Sequence, residues 1–547
     1  MEWSRHRLLN GARPTLLALL LCAVGVGLVS SAASAAGDGA LRVAVREDIK
    51  NLNPNVATGE SETRIIGLIY DTLLVYNDDG EFEPGLADRW EISPDGLKIT
   101  FYLNQKATWH DGTPVTAEDA AFSLLYPRQK RLVSKMMELM NMDTAAAVGK
   151  YEVEVSLKER QSDSLRLIAT GMAIVPKHIW QKINDPMNFP NLDDPIGSGP
   201  FRLKKLVAGQ YALLENTGDY YRRIPKIGSV VLQVVRDETV GVMSLKRGEF
   251  DTLGWSVDAG IVTDVRQNPG RYPNIKYAKG EVLSTSTLLF NLRKPPFDNK
   301  AFRKAVAQAI DREAIVETAL LGYATPAGPG FAPPSLGKYY NKNIAPLVYS
   351  PSAARAALDA AGFKDTNGDG WREMPGGKSL SFEIATMNTR GSMDIGDMIA
   401  NNLRRVGVNA AITPLAPEAH TNKLKTADFD TALSGVSYGT LEMLFYYLHT
   451  SRGVIKDGRV VGFNRGGFAN PTYDKLIVEF RGEFNTQKRR ELYYRVQELL
   501  ADEMPQVPLY HPWNLTLYRD DKLIGWVISP RSGVDTGDTY FSVRPAK

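Results

Sequence analysis

Cysteine is almost absent. The 547-residue chain has one, Cys22, inside an apolar N-terminal run. That excludes a disulfide framework and any site built on cysteine ligands. Histidine is scarce as well, with six residues and no two at helical metal spacing, so a zinc site has no support. No Gly-x-Ser-x-Gly elbow occurs. The tight glycine turn Ile196-Gly197-Ser198-Gly199-Pro200-Phe201 lacks the Gly-Lys-Ser/Thr ending of a phosphate loop. Charge of one sign is lacking too: a formal +3 over this length argues for neither a nucleic-acid partner nor an anionic membrane surface. Internal repeats and low-complexity segments are missing, and beyond the N-terminus no run is apolar enough to span a bilayer.

What is present begins with an export signal. Arg5, Arg7 and Arg13 form a basic start, Leu16 to Val29 an apolar core, and Ala33-Ser34-Ala35 a small-residue cleavage site. This predicts a signal peptide over residues 1–35 and a soluble, periplasmic mature chain. Leu19-Leu20-Leu21 precede Cys22 and the apolar run continues past it, which is not a lipoprotein pattern.

The mature chain alternates strands and helices throughout, which predicts an α/β fold with parallel or mixed sheets, and its length predicts more than one domain. Strands are expected at Leu41–Val45, Lys98–Leu103, Tyr151–Leu157, Tyr211–Glu215, Ser229–Val235, Ser284–Phe290, Leu380–Ala385, Val408–Thr413 and Asp430–Leu433, with extended chain over Pro505–Leu517. Helices are expected over Ile65–Leu74, Glu238–Lys246, Met393–Val406 and Lys488–Glu503. Cap signals mark others: Thr116 with Asp119, Asp298 or Asn299, Asp311, Ser350 with Pro351, and Asn470 with Pro471. Lys294-Pro295-Pro296 interrupts the chain between the strand ending at Phe290 and a helix striped by Phe302, Ala305, Val306, Ala309 and Ile310. A second helix is expected from Asp311 through Leu320, ended by Gly322.

Two features invite a functional reading. Asp365-Thr366-Asn367-Gly368-Asp369-Gly370 carries the first half of a calcium loop, but its twelfth position is Gly376 where a bidentate Glu belongs, so an Asx-rich turn is the expectation. Aromatic and charged residues also gather in short stretches. They are Trp255 with Asp258, then Tyr438, Glu442, Phe445, Tyr446 and Arg452, then Trp513. Apolar walls with a few placed charges suit a small-ligand cleft, and these eight are the candidate ligand contacts. No catalytic residue, metal or cofactor is expected.

The order of motifs carries a family resemblance. Trp109-His110-Asp111-Gly112-Thr113 leads to Thr116-Ala117-Glu118-Asp119. Then follow the Gly197–Phe201 turn, Gly218-Asp219-Tyr220-Tyr221, and Leu245-Lys246-Arg247-Gly248-Glu249-Phe250-Asp251. Phe290-Asn291 with Pro295-Pro296-Phe297, Asn470-Pro471-Thr472-Tyr473-Asp474 and Val507-Pro508-Leu509-Tyr510 complete the set. In this order they resemble the peptide/nickel-type extracellular solute-binding proteins, family 5, of bacterial ABC importers. The resemblance implies a two-lobed periplasmic-binding-protein fold with two crossover segments and ligand between the lobes. It places lobe I at 36–281, with an inserted subdomain at about 82–195, lobe II at 282–507, and a return to lobe I at 508–547. It further implies a monomeric, non-enzymatic receptor that delivers solute to an inner-membrane permease. A di- or oligopeptide is the expected ligand, with a nickel chelate, an opine or an oligosaccharide as alternatives and a secreted hydrolase as the other class of reading. The chain departs from the family at Ala301, where an Arg is usual. It departs again at Ser437–Glu442, which lacks the Asp that pairs with a peptide's α-ammonium in peptide binders; Glu442 is the substitute there.

Overall fold

A computed structural model describes residues 39–78, 80–136, 138–437, 446–534 and 536–546. The signal-peptide segment and the candidates Tyr438, Glu442 and Phe445 lie outside the described residues. β1 (Leu41–Val45) is followed by a hairpin, β2 (Leu74–Tyr76) and β3 (Phe82–Pro84). β4 (Ala87–Ile92), β5 (Lys98–Leu103), β6 (Met142–Gly149) and β7 (Glu152–Leu157) form a separate antiparallel sheet in the order β4-β5-β7-β6. Its inner face packs with the helix Ala117–Gln129 around Trp109, Phe101 and Val153. β8 (Phe201–Val207), β9 (Tyr211–Asn216), β10 (Ser229–Val234), β11 (Thr252–Leu253) and β12 (Ile275–Glu281) complete the first half. The second half holds β13 (Ser284–Phe290), β14 (Ala324–Pro326), β15 (Ser381–Met387), β16 (Asn409–Leu415), β17 (Thr431–Ser437), the short hairpin β18 (Ile455–Lys456) and β19 (Arg459–Val460), and β20 (Gln506–Arg519).

One mixed twelve-stranded sheet runs through both lobes, in the order β16-β15-β17-β13-β20-β11-β1-β10-β9-β8 with β12 and β14 also on β20. β20 is the shared strand. Its first part pairs antiparallel with β13, through Leu288↔Val507, and its last part with β12, through Ala278↔Thr516. The step from β12 to β13 at Glu281–Ser284 thus lies beside the middle of β20, near Tyr510–Trp513. Two adjacent extended connections leave few backbone angles to absorb a rotation, the geometry of a hinge.

Local chemistry explains the elements. The Asn299 side chain accepts from the backbone N–H of Ala301 and Phe302, Asp311 from Ala314, Ser350 from Ala353, and Asn470 from Thr472 and Tyr473. Each satisfies a helix donor that would otherwise be orphaned. The capping box at Thr116 and Asp119 forms as expected. Arg303, 5% exposed, donates to the carbonyls of Phe297, Asp298, Glu503 and Met504 and so pins the Pro-Pro turn to the end of the helix Thr486–Glu503. The stripe Phe302, Ala305, Val306, Ala309 and Ile310 is wholly buried.

Two motifs of the resemblance prove to be one clasp. The His110 N–H donates to the carbonyl of Gly197, and His110 Nε2 lies 3.0 Å from that of Gly199. A Cβ on Gly197 would stand 1.9 Å from the Ile69 carbonyl oxygen, so no other residue fits.

Two expectations need correction. The helix expected over Ile65–Leu74 runs Glu60–Ile69; Tyr70 turns extended and Leu74 opens β2. Its start was hidden because Gly59 caps without a side chain, and Glu60 and Glu62 favour the first turn through the helix dipole. The helix from Asp311 holds only at Arg312–Ala314 before widening into a π turn over Ile315–Ala319, with Gly322 at φ +78° beyond it.

Candidate functional site

A cavity of about 480 Å³ opens between the helical side of the four-stranded sheet and the segment that carries Tyr446, Arg452 and Arg481. Met136, Leu139, Met140 and Leu167 form its apolar side, and Tyr446, Arg452 and Arg481 the opposite wall. Its size suits a small solute. Asp163, at the start of the helix Asp163–Gly171, and Arg481, in the last turn of the helix Pro471–Gly482, meet across it. Arg481 donates to Asp163 Oδ2 from Nε and Nη2, each at 3.2 Å, and from Nη2 to Gln161 Oε1 at 2.9 Å. The Arg481 carbonyl accepts from the Ser162 N–H at 2.6 Å, and Arg160 Nε donates to the Gly482 carbonyl at 2.8 Å. Lys338 and Glu81 make a second ion pair between the same two halves.

The Tyr446 ring lies between two guanidiniums, with Arg481 at 4.5 Å and Arg452 at 5.2 Å from its centre. Both contacts are cation–π attractions that hold the two guanidiniums at the cavity wall, where they can meet a flat polar group of a ligand. Of the eight sequence candidates, Tyr446 and Arg452 therefore line this cavity together.

Trp255, Asp258 and Trp513 belong to a different packed group, under β11 and β20. Trp255 is 7% exposed, seats its ring against Gly241, and has the Arg46 guanidinium 4.9 Å from its centre. Asp258 Oδ1 accepts from the Gly260 N–H at 2.7 Å and so caps the helix Ala259–Gln267. Trp513 Nε1 donates to Thr325 Oγ1 at 2.9 Å, and Lys279 Nζ sits 3.7 Å from its ring centre. Trp513 pairs with Glu281 in the ladder, at the crossover itself.

Sequence reasoning missed Asp163 and Arg481, which meet at this cavity. Arg489 hydrogen-bonds the Ser162 hydroxyl across the lobes and Tyr339 on its own side, and burial lowers its pKa. Burial also raises the Tyr76 hydroxyl, while Arg166, Arg489 and Arg531 pull it down. The Asp365 loop closes on itself: Asp365 accepts from the N–H groups of Gly368 and Gly370, and Glu373 from Thr366 and Asn367.

Other buried titratable groups lie off the cleft. Asp71 is pushed up to about 6 by burial, against hydrogen bonds from Tyr220, Ser198 and Tyr221. His110 and His511 are lowered by burial and serve the backbone, His511 at 3.0 Å from both Thr285 Oγ1 and the Ser284 carbonyl.

Comparison with known proteins agrees with this architecture. The oligopeptide-binding protein AppA of Bacillus subtilis is 26% identical over 486 residues, 88% of this chain and 87% of the relative. The nickel-binding periplasmic protein of Escherichia coli is 25% identical over 516 residues, covering 92% and 93%. The solved structure of HbpA2 from Haemophilus parasuis superposes with a TM-score of 0.79 at 21% identity, over 93% of this chain and all of that one, a likeness of fold. The family model for the middle region of the bacterial extracellular solute-binding proteins, family 5, matches residues 81–456, and the chain belongs to that family of binding proteins.

Proposed function

We propose that this protein is the periplasmic receptor of an ABC importer, which captures a small solute between its lobes and presents the closed form to a membrane permease. The observation that carries the reading is the Asp163–Arg481 contact beside a solute-sized cavity walled by both lobes. Relatives named for oligopeptide and nickel binding support it. The lobes divide at 36–281 and 282–507, with 82–195 inserted in the first and 508–547 returning to it. Residues 1–35 act as a cleaved, non-lipidated leader, and the mature chain works as a monomer without nucleic acid, cofactor or catalysis. Tyr446 and Arg452 contact the ligand directly, and Tyr438, Glu442 and Phe445 precede them on the same segment. Trp255 and Trp513 stiffen the crossover wall, and Asp258 holds its helix.

Closure must be coupled to ligand. Moving an equilibrium from 1:99 to 99:1 takes about 5.5 kcal/mol of differential affinity, which charge-assisted hydrogen bonds and stacking on Tyr446 supply in order of magnitude. A di- or oligopeptide is the ligand class this favours, because an extended chain also pairs its backbone with cleft walls. Native mass spectrometry of the protein as purified, set against protein unfolded and refolded, tests the reading. A reproducible extra mass that refolding removes supports it. Identical masses, with no small solute changing the melting temperature, defeat it.

A further inference from the structure

A second cavity, of about 240 Å³, is lined by the second half of the chain alone and shares no residue with the one at Asp163 and Arg481. Arg312 and Glu313, from the short helix Arg312–Ala314, line one part of it, and the chain over 326–330 lines another. Tyr340, Ile344, Pro346 and Leu347 supply further wall. Arg312 is 8% exposed, and its Nη1 donates to the Ala327 carbonyl at 2.7 Å. Its Nε is buried without a hydrogen bond, and Nη2 makes none to a described residue. Asp311 and Glu313 act on it from beyond ion-pair distance, and Asp311 is held by capping Ala314. Burial pulls the guanidinium down to about 10.

Other unmet donors gather on the same lining. Among the described residues the Tyr340 hydroxyl has no hydrogen-bond partner, and a Cβ on Gly328 would stand 3.7 Å from it. The N–H groups of Gly328 and Gly330 have no such partner either. A buried guanidinium is costly unless its donors are met, and its planar fork matches a carboxylate. Arg312 and Glu313 are the charged groups of the lining, and Glu313 is exposed and bonded to no described residue. A zwitterion balances both charges, whereas the second negative charge of a phosphate would meet Glu313. Ile344, Pro346 and Leu347 leave an apolar wall for a side chain.

We infer that this cavity is a second binding site, for a free amino acid with a small apolar side chain. Arg312 and the Tyr340 hydroxyl take its carboxylate, Glu313 its ammonium group, and Ile344 and Leu347 its side chain. The site goes beyond the receptor reading and does not rest on it.

The test uses full-length mature protein stripped by unfolding and refolding. Titration calorimetry compares L-valine with L-valinamide, which lacks the carboxylate, with 3-methylbutanoate, which lacks the ammonium group, and with inorganic phosphate. Hydrogen–deuterium exchange locates the bound probe. Valine should bind about tenfold or more tightly than any of the other three, and should slow exchange over 326–347. Arg312→Gln should weaken valine about tenfold or more, with Arg312→Lys keeping part of the affinity. Glu313→Gln, at an exposed position, should bring valine down to the affinity of 3-methylbutanoate and leave the melting temperature unchanged; it decides alone if Arg312→Gln does not fold. No binding of valine, equal binding of valine and either analogue, or slowed exchange confined to 446–481 overturns the inference. Valine affinity unmoved by Arg312→Gln or by Glu313→Gln overturns it too, and so does tighter binding of phosphate. The receptor reading stands in each case, because its ligand lies at the other cavity.

Discussion

Arg481 gives two hydrogen bonds to one oxygen of Asp163, each 3.2 Å long, from a position 318 residues further along the chain. Both side chains are mostly buried, at 16% and 10% exposure. Around them the Arg481 carbonyl, Ser162, Arg160, Gly482 and Arg489 repeat the contact with backbone and neutral groups. This seam can form only when the lobes are together, so its energy belongs to closure.

Removing either partner should therefore weaken ligand binding more than it weakens the ligand-free fold. Asp163→Ala and Arg481→Ala are each expected to raise Kd, and a double-mutant cycle on affinity should give a coupling of about 1–3 kcal/mol. Titration calorimetry with the solute identified by mass spectrometry measures it. A coupling near zero would place the pair outside the closing motion.

The Gly280–Arg531 contact ties β12 to the loop Ser529–Gly533. Gly280→Ala puts a methyl group into the Arg531 backbone, so the loop shifts or the strand bends. Overpacking of this kind costs about 1–3 kcal/mol. Urea denaturation should report that loss.

Asp71 gives a pH signature with an unusual sign. Its carboxyl titrates near 6 in the folded chain, against roughly 3.9 for an unperturbed one. The folded state therefore holds the proton more tightly, and this group's contribution to stability falls as pH rises from about 4 to about 6. Tyr220→Phe removes the hydroxyl that donates to Asp71 Oδ1 at 2.8 Å. Its cost should be about 1–3 kcal/mol at pH 7.5, where the carboxylate is charged, and clearly less at pH 5. Equal costs at both values would remove Asp71 as the titrating partner.

Two of the sequence candidates separate by their bonds. Asp258→Ala should lose about 1 kcal/mol of stability as a lost helix cap and leave ligand affinity unchanged. Tyr446→Ala should do the reverse, weakening binding about tenfold with a smaller effect on melting. Thermal melts and calorimetry on the two variants check both halves.

The frame was legible in the sequence because its signals are local. Asn299, Asp311, Ser350 and Asn470 each cap a helix within three residues, and the stripe from Phe302 to Ile310 is buried as its spacing requires. The cleft was not legible, since Met136, Asp163, Tyr446 and Arg481 come from distant stretches. Lys488-Arg489-Arg490 looks like a solvated helix face, yet tertiary packing turns the middle residue inward onto Ser162. Tyr446 and Arg452, which line the cavity, stand out in the sequence because an aromatic run interrupts the α/β alternation. Trp255 and Asp258 gave the same kind of signal and have packing and capping roles.

The central claim is that a solute draws the lobes together. Beyond Cys22 the chain has no cysteine, so Glu152→Cys in the inserted sheet and Lys488→Cys on the second lobe, both at exposed positions, accept a dye pair cleanly. Single-molecule energy transfer on stripped protein should show a longer or broader distance distribution that shortens and narrows when the released solute is returned. A distribution identical with and without bound solute would contradict closure around a ligand.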